Sequence, residues 1–129
     1  MSTQPTDLIV MDQGSPEWHA HRMRYRNASE TPAVMALSPW QTPYQLWLLR
    51  TGRKTTVETE AMRHGKAQEP AARLAYEALT GTVMEPQVLV RGEYSASLDG
   101  MSLDGNHVLE IKCPVRGRRS MTSGTRRSP

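Results

Sequence analysis

The chain has little cysteine and no long apolar segment. Its single cysteine, Cys113, has no partner for an intramolecular disulfide and cannot by itself hold a zinc ion. The longest aliphatic run, Leu8 to Met11, is far shorter than the roughly 20 residues that span a bilayer. No basic stretch followed by an apolar stretch opens the chain. These absences exclude a disulfide-stapled protein, argue against a membrane protein, and predict a cytoplasmic one.

Acidic residues are absent from the last segment, 116–129, which carries five arginines. The whole chain of 129 residues has 16 Lys and Arg against 13 Asp and Glu, so the body, 1–115, has a net charge of −2 and the tail one of +5. A segment of Arg, Ser, Thr and Gly cannot bury a core, and we expect it to be disordered or to be the product of a frameshift or early stop. The basic charge of the whole chain is therefore weak evidence for nucleic-acid binding. Residues 1–115 are long enough for one domain.

The local signals predict helices first and strands afterwards. Serine or threonine, often followed by proline, marks three helix starts, and glycine marks two helix ends. The predicted helices run from Ser15 to about Arg24, from Glu30 to Leu37 with Ser29 as cap, from Thr42 to Gly52, and from about Glu58 to Thr80, with Pro70 either kinking the last helix or starting its second half and Gly81 ending it. The predicted strands are Val83 to Val90, Glu93 to Ser97 and His107 to Cys113. Helices followed by an antiparallel meander indicate an α+β or α/β layer.

The last predicted strand displays a charged pair. Glu110 and Lys112 share one face by the period-2 rule, while the residues between and beside them are apolar. Asp99 lies eleven residues before Glu110 at the end of the preceding strand, so a hairpin can bring the two carboxylates together. Their repulsion would be relieved by a hard divalent cation such as Mg²⁺ or Mn²⁺. A nearby lysine could then orient a metal-activated water for attack on a phosphodiester.

Each part of this pattern also has an ordinary explanation. A Glu-x-Lys sequence on a strand is most often a solvated face, and an Asp-Gly dipeptide is most often a turn. It is the conjunction of Asp99, Glu110 and Lys112 that favours a metal-dependent nuclease. The four histidines form no ligand constellation, so no zinc site is predicted. The three tryptophans, Trp18, Trp40 and Trp47, are predicted to be core residues rather than platforms for base stacking.

Several separated motifs resemble one family of DNA-processing enzymes. The chain is similar to the YqaJ-type viral recombinases and lambda exonuclease, within the PD-(D/E)xK nuclease superfamily. The matching segments are Asp12 to His19 with Arg22 and Ala28 to Glu30, then His64-Gly65 with Glu69, Ser95 to Gly100, Asp104 to Asn106, and Leu109 to Pro114. The resemblance covers most of the chain, from about Asp12 to Val115.

The resemblance implies a metal site. Asp99 and Glu110 would bind the catalytic Mg²⁺ or Mn²⁺, with the backbone carbonyl of Ile111 as a further ligand. Lys112 would be the catalytic lysine. Glu69 would be the acidic residue that the central helix directs toward the metal, with a solvent-facing glutamate as the alternative.

The resemblance also implies a pocket for a 5′ phosphate, formed by Arg22, Ser29 and Ser97. A guanidinium and two hydroxyls suit a phosphate monoester. For Ser29 the alternative is a helix cap. Arg24 and Arg26 extend a basic stripe that could contact the DNA backbone or simply be solvated.

The function implied is a metal-dependent 5′ to 3′ exonuclease on double-stranded DNA ends. It would act in phage-type recombination in a bacterial host cell, beside a single-strand annealing protein and as a ring-forming homo-oligomer. The implied fold is a restriction-endonuclease-like PD-(D/E)xK core, α/β (α+β), incomplete after its third core strand, since a further helix and strand are expected after Pro114. The alternative is a truncated, inactive fragment that only binds DNA or a partner. Holliday-junction and CRISPR-associated nucleases share the acidic core, and only the amino-terminal motif argues against them.

Overall fold

A mixed five-stranded sheet with helices beside it forms the part of the chain that the computed structural model describes, residues 5–115. The elements in chain order are β1 (Asp7–Ile9), α1 (Pro16–Arg24), β2 (Arg26–Asn27), a 3₁₀ turn (Ala28–Glu30), α2 (Thr31–Val34), α3 (Pro43–Arg50), α4 (Glu60–Thr80), β3 (Met84–Arg91), β4 (Tyr94–Ser102) and β5 (Val108–Leu109). The basic tail and its expected disorder lie outside the described residues.

The sheet is built around the β3–β4 hairpin. β1 adds antiparallel to the free edge of β3, with Leu8 opposite Leu89. The other edge of β4 has two short partners, β2 running parallel and β5 antiparallel. The predicted meander of three strands is therefore confirmed, but β4 continues past its predicted end at Ser97 to Ser102, so that Asp99 lies within it and not at its end. β1 and β2 were not predicted. Both are at most three residues long and pair with strands far along the chain, so no local pattern marks them.

Helix starts and ends follow the local chemistry closely. The Ser15 hydroxyl accepts a hydrogen bond from the Trp18 amide (3.2 Å), as an N-cap does. Thr42 and Gln45 form a reciprocal capping box at the start of α3. Gly81 ends α4 in the left-handed conformation, with φ of 70°. The predictions for these three helices are confirmed.

The second predicted helix is wrong in its extent and its cap. Only Thr31–Val34 is α-helical, and Ala36 adopts a left-handed conformation with φ of 58°, which stops the helix before Leu37. Ser29 lies in the preceding 3₁₀ turn, and its hydroxyl accepts a hydrogen bond from the Arg22 side chain instead of capping α2. The Ser29 side chain thus faces α1.

The last strand is shorter than predicted. Only Val108 and Leu109 pair with β4, opposite Met101 and Gly100. Beyond them the Ile111 amide donates to a side-chain carboxylate of β4 rather than to the backbone ladder. The chain therefore leaves the sheet at Glu110, where the charged pair of Glu110 and Lys112 begins.

Two tryptophans lie outside the core. The buried apolar residues are Ala33, Met84, Val88 and Val90, which centres the core on β3. Trp40 is 90% exposed and Trp47 is 46% exposed, so the prediction of a core position is wrong for both. Trp47 instead stacks on Tyr44 and lies under Arg53 at the surface. Between residues 5 and 115 no helix combines the length and the apolarity needed to cross a membrane.

Candidate active site

A cavity opens at a gap in the edge of β4. Because β2 pairs with residues 94–95 and β5 with residues 100–101, the stretch between them has no strand partner on that side among residues 5–115. The cavity at this gap has a volume of about 520 Å³. The residues predicted for the metal site and for the 5′-phosphate pocket all line it except Glu69, namely Arg22, Ser29, Ser97, Asp99, Glu110, Ile111 and Lys112.

Asp99 lies in a β-bulge. On β3 only Pro86 separates Glu85 from Gln87, while their partners on β4 are three residues apart, so Asp99 and Gly100 are the two residues of the bulge. Proline has no N–H to give to the ladder, which is consistent with the register shift at this point. The Asp99 carboxylate accepts a hydrogen bond from the Ile111 amide (Oδ2 to N, 2.8 Å). This contact fastens the segment after β5 to the bulge.

Glu69 approaches Asp99 from α4. Its carboxylate forms an ion pair with Arg73 (Oε1 to Nη2, 2.9 Å), and the Nε of Arg73 donates to the Asp99 carbonyl at 2.9 Å. Burial raises the pKa of Glu69 and the nearby Asp99 carboxylate raises it further, while Arg73 opposes both effects. Glu69 lines a neighbouring cavity of about 690 Å³, and Gln13 is a lining residue of both this cavity and the one at the edge of β4. The Glu69 and Asp99 carboxylates are therefore close enough to affect each other's charge, although each lines a different cavity.

Glu110 and Lys112 face each other at the mouth of the cavity. The Lys112 ammonium donates to Glu110 (Nζ to Oε1, 2.8 Å), and the two side chains are 83% and 72% exposed. The hydrogen bond to Glu110 raises the pKa of Lys112, partial burial opposes the rise, and the charges of Glu110 and Asp99 add to it. Within the described part of the chain, no three or more His, Cys, Asp or Glu side chains are close enough to hold a metal ion.

The other end of the cavity is basic and hydroxylated. Arg22 donates from Nη2 to the Ser29 hydroxyl at 3.1 Å, and its guanidinium lies 4.8 Å from the centre of the Trp18 ring. The Trp18 indole N–H donates to the Ser97 hydroxyl at 2.9 Å. Since Ser97 accepts this bond, its own O–H remains able to donate into the cavity. Burial lowers the pKa of Arg22, with nearby Glu30 opposing that effect.

A second layer of polar contacts holds the end of α1 in place. Arg50 of α3 donates to the carbonyls of Arg22 and Tyr25, at 2.9 Å for the latter, which satisfies the free C-terminal groups of α1. Buried His21 hydrogen-bonds to Ser95 of β4 (2.9 Å) and stacks on Tyr25. These contacts keep the Arg22 backbone fixed against the sheet.

The remaining arginines of the predicted stripe do not line the cavity. Arg24 is exposed, and Arg26 pairs with Glu93 at 3.7 Å on the surface.

Three residues of the site were not predicted. Trp18 holds Ser97, Arg73 holds Glu69 and Asp99, and the Gln13 amide donates to the carbonyls of residues 87 and 98 across the bulge. The four-residue spacing from Glu69 to Arg73 on one helix could have indicated the ion pair. The contacts of Trp18 and Gln13 join residues more than seventy positions apart, and no spacing rule points to them.

Comparison with known proteins identifies the family. A model described as the YqaJ-like viral recombinase domain matches residues 17–127. The uncharacterized protein YqaJ of Bacillus subtilis (strain 168) is 28% identical over 103 residues, which is 74% of this chain and 32% of that protein.

Solved structures agree with this match. An alkaline exonuclease from Laribacter hongkongensis, LHK-Exo, is similar with a TM-score of 0.61 and 29% identity, over 79% of this chain and 55% of that chain. LHK-Exo in complex with dAMP gives a TM-score of 0.58 and 29% identity, over 78% and 54%. The chain spans about half the length of the solved exonuclease and about a third of the curated relative. The predicted α+β fold of PD-(D/E)xK type is confirmed, and the chain belongs to the YqaJ-like viral recombinase domain family.

Proposed function

We propose that the protein is a metal-dependent DNA exonuclease that degrades double-stranded DNA from its 5′ ends, acting in phage-type recombination. The observation that carries the proposal is that one cavity holds two kinds of side chain. Asp99, Glu110 and Lys112 line it together with the Arg22 guanidinium and the Ser29 and Ser97 hydroxyls. A phosphodiester and a terminal phosphate need these two environments close together. The similarity to an alkaline exonuclease supports the same reaction class.

The oxygen donors around Asp99 suit Mg²⁺ or Mn²⁺. Asp99, Glu110 and the Ile111 carbonyl would hold the cation, with Glu69 beside them, and carboxylates and carbonyls are the ligands that hard cations prefer. Burial raises the pKa of Glu69 first and the nearby Asp99 carboxylate raises it further, and a cation would relieve the repulsion between these two carboxylates. When bound, such a cation polarises the phosphodiester and lowers the pKa of a water molecule.

Lys112 acts in this proposal as a hydrogen-bond donor. Because its pKa is raised above the ordinary value of 10.5, its ammonium stays charged at neutral and mildly alkaline pH. It can orient an attacking water or bind a phosphate oxygen. Its exposed position at the mouth of the cavity lets it reach a DNA strand.

Arg22 with the Ser29 and Ser97 hydroxyls is proposed to bind the 5′ phosphate. A guanidinium partly removed from water gains most from a doubly charged phosphate monoester. The hydroxyl of Ser97 is held by Trp18 and can donate to a phosphate oxygen. A 5′-phosphorylated end would therefore be bound in preference to a 5′-hydroxyl end.

The test uses the purified 129-residue chain and linear duplex DNA with a phosphate on one 5′ end only. We expect mononucleotide release from the phosphorylated strand with Mg²⁺ or Mn²⁺ and none with EDTA. Asp99→Asn and Lys112→Ala should each lower the rate by about a hundredfold or more. The matched substitutions of exposed residues outside the cavity, Asp7→Asn and Lys54→Ala, should leave it within about twofold.

Binding without hydrolysis is the second candidate. It is favoured by the pairing of Glu110 with Lys112 and by the lack of a three-carboxylate cluster among residues 5–115. In that case the chain would retain a preference for 5′-phosphorylated ends in fluorescence anisotropy but would release no nucleotide even with Mn²⁺. That result would contradict the exonuclease proposal.

A ring-shaped homo-oligomer and a single-strand annealing partner remain part of the proposal, and both can be checked by light scattering with and without a recombination partner of that class.

A further inference from the structure

Arg73 connects two elements that each carry an acidic residue of the site. It lies on α4, one turn after Glu69, and its side chain is only 15% exposed. Its Nη2 donates to the Glu69 carboxylate and its Nε donates to the Asp99 carbonyl, both at 2.9 Å. One guanidinium therefore contacts the helix carboxylate and the bulge backbone at the same time.

The bulge makes the second contact possible. Asp99 has no partner residue in the β3–β4 register, so its carbonyl is available to a group outside the sheet. A buried carbonyl without a donor would be costly, and Arg73 supplies that donor. The backbone of Asp99, and with it the direction of the Asp99 side chain, is thus tied to α4.

The geometry of the contact requires an arginine. The guanidinium is a rigid planar fork whose Nε and Nη2 donors point in fixed directions, whereas the lysine ammonium is a single point on a flexible stem. An ordinary exposed ion pair at i,i+4 contributes little, but this one is largely buried and reaches a second element. Its main effect is on geometry.

We infer that Arg73 is a positioning residue that sets the separation of the Glu69 and Asp99 carboxylates by binding both elements with one guanidinium. The inference rests on the proposed function, since it assigns Arg73 to the metal site of that reaction. Arg73 itself does not contact substrate in this arrangement. It acts through the two acidic residues.

The substitution that isolates geometry from charge is Arg73→Lys. Removing the Arg73 charge altogether would have two opposite effects on metal binding. Loss of the positive charge would favour a bound metal ion, whereas loss of the two hydrogen bonds would release the Glu69 and Asp99 ligands and weaken binding. The matched control is Arg63→Lys, which changes an exposed arginine of the same helix. Binding of Mn²⁺ alone to the whole chain is followed by the loss of the free Mn²⁺ signal in electron paramagnetic resonance.

We expect Arg73→Lys to weaken Mn²⁺ binding about tenfold, or about 1.4 kcal/mol, and Arg63→Lys to leave it within about twofold. Equal affinity in wild type and Arg73→Lys would overturn the inference. Loss of the folded circular dichroism spectrum in Arg73→Lys alone would also overturn it, since Arg73 would then serve the fold in general.

A double-mutant cycle with Glu69→Gln gives a readout that a purely structural role would not change. If Arg73 acts through Glu69, adding Arg73→Lys to Glu69→Gln should weaken Mn²⁺ binding by only about threefold or less. An unreduced tenfold loss in that background would count against the inference.

Nucleotide release from phosphorylated duplex, measured on the same samples, separates the two proposals. A wild-type chain that binds Mn²⁺ but releases nothing would contradict the exonuclease proposal and leave Arg73 to be judged on binding. A wild-type chain that binds no Mn²⁺ would overturn both. If wild type releases nucleotide and Arg73→Lys changes neither this release nor Mn²⁺ binding, only the inference about Arg73 is overturned.

Discussion

The bulge residue Gly100 provides a sharp test of how tightly the site is built. A methyl group at this position would lie 3.1 Å from the Met84 Cβ and 3.3 Å from the Leu109 Cβ. Both atoms are attached directly to backbone in neighbouring strands, so neither can move away by rotating a side chain. We therefore expect Gly100→Ala to push apart β3, β4 and β5 next to Asp99.

The size of the effect follows from the overlap. Overpacking a filled interior by one methyl group costs about 1–3 kcal/mol. Replacing glycine also restricts the unfolded chain, which returns about 0.4–1 kcal/mol. The net loss should be about 1–2 kcal/mol, which corresponds to a fall in Tm of roughly 4–9 °C for a domain of this size.

The assay is thermal unfolding of the whole chain by circular dichroism in EDTA. The matched control is Gly65→Ala, because a Cβ at this helical glycine meets no atom within 4 Å. Alanine is preferred over glycine inside helices, so the control should raise the stability by about 0.5–1 kcal/mol. A Tm for Gly100→Ala equal to or above that of wild type would refute the packing argument.

Three further outcomes follow from the contacts of the site and the helices. Trp18→Phe keeps an aromatic ring but removes the N–H that holds Ser97, so the preference for 5′-phosphorylated over 5′-hydroxyl ends should fall about three- to tenfold, and an unchanged preference would contradict the role of Trp18. Burial and two neighbouring arginines lower the pKa of His21 below 6.5, so its contribution to stability should be complete above about pH 6.5 and decline at lower pH. In urea unfolding from pH 8 to 5, the free energy of unfolding should fall with pH in wild type and fall less in His21→Gln. Thr42→Ala should lower the free energy of unfolding by about 1 kcal/mol, whereas Thr42→Ser should retain most of it, and equal urea midpoints for all three chains would argue against the capping box.

The sequence allowed the helices to be predicted well because their ends depend on local chemistry. Ser15, Thr42 and Gly81 each act on groups within one turn of themselves, and the structure places them at the ends expected. The predicted end of the second helix was wrong because Ala36 adopts a left-handed conformation, which alanine rarely takes and which its residue type does not indicate.

The parts of the fold that depend on distant partners could not be predicted in this way. β1 and β2 exist because β3 and β4 offer edges to them, and their few residues carry no period of their own. The exposure of Trp40, which lies between α2 and α3, has the same origin, because burial depends on which elements pack over a residue and not on the side chain itself.

The candidate site was partly accessible from the sequence. The Asp99, Glu110 and Lys112 spacing indicated one end of the cavity without any structure, since a short hairpin brings these residues together. Placing Arg22 beside them required a family resemblance. The hydrogen bonds that orient these side chains, such as the one from Trp18 to Ser97, emerged only with the three-dimensional arrangement.

The divided edge of β4 also has a consequence for the order in which the cavity is assembled. The contact from the Ile111 amide to Asp99 closes a loop of 12 residues, whereas the contact from Trp18 to Ser97 closes one of 79. The entropy of loop closure makes the longer connection costlier by about 1.7 kcal/mol. We therefore expect the acidic end of the cavity to form first in folding, within one hairpin, and the phosphate end to be completed only when α1 docks. A folding intermediate with the hairpin formed and α1 undocked would hold its carboxylates in place before it could recognise a DNA end.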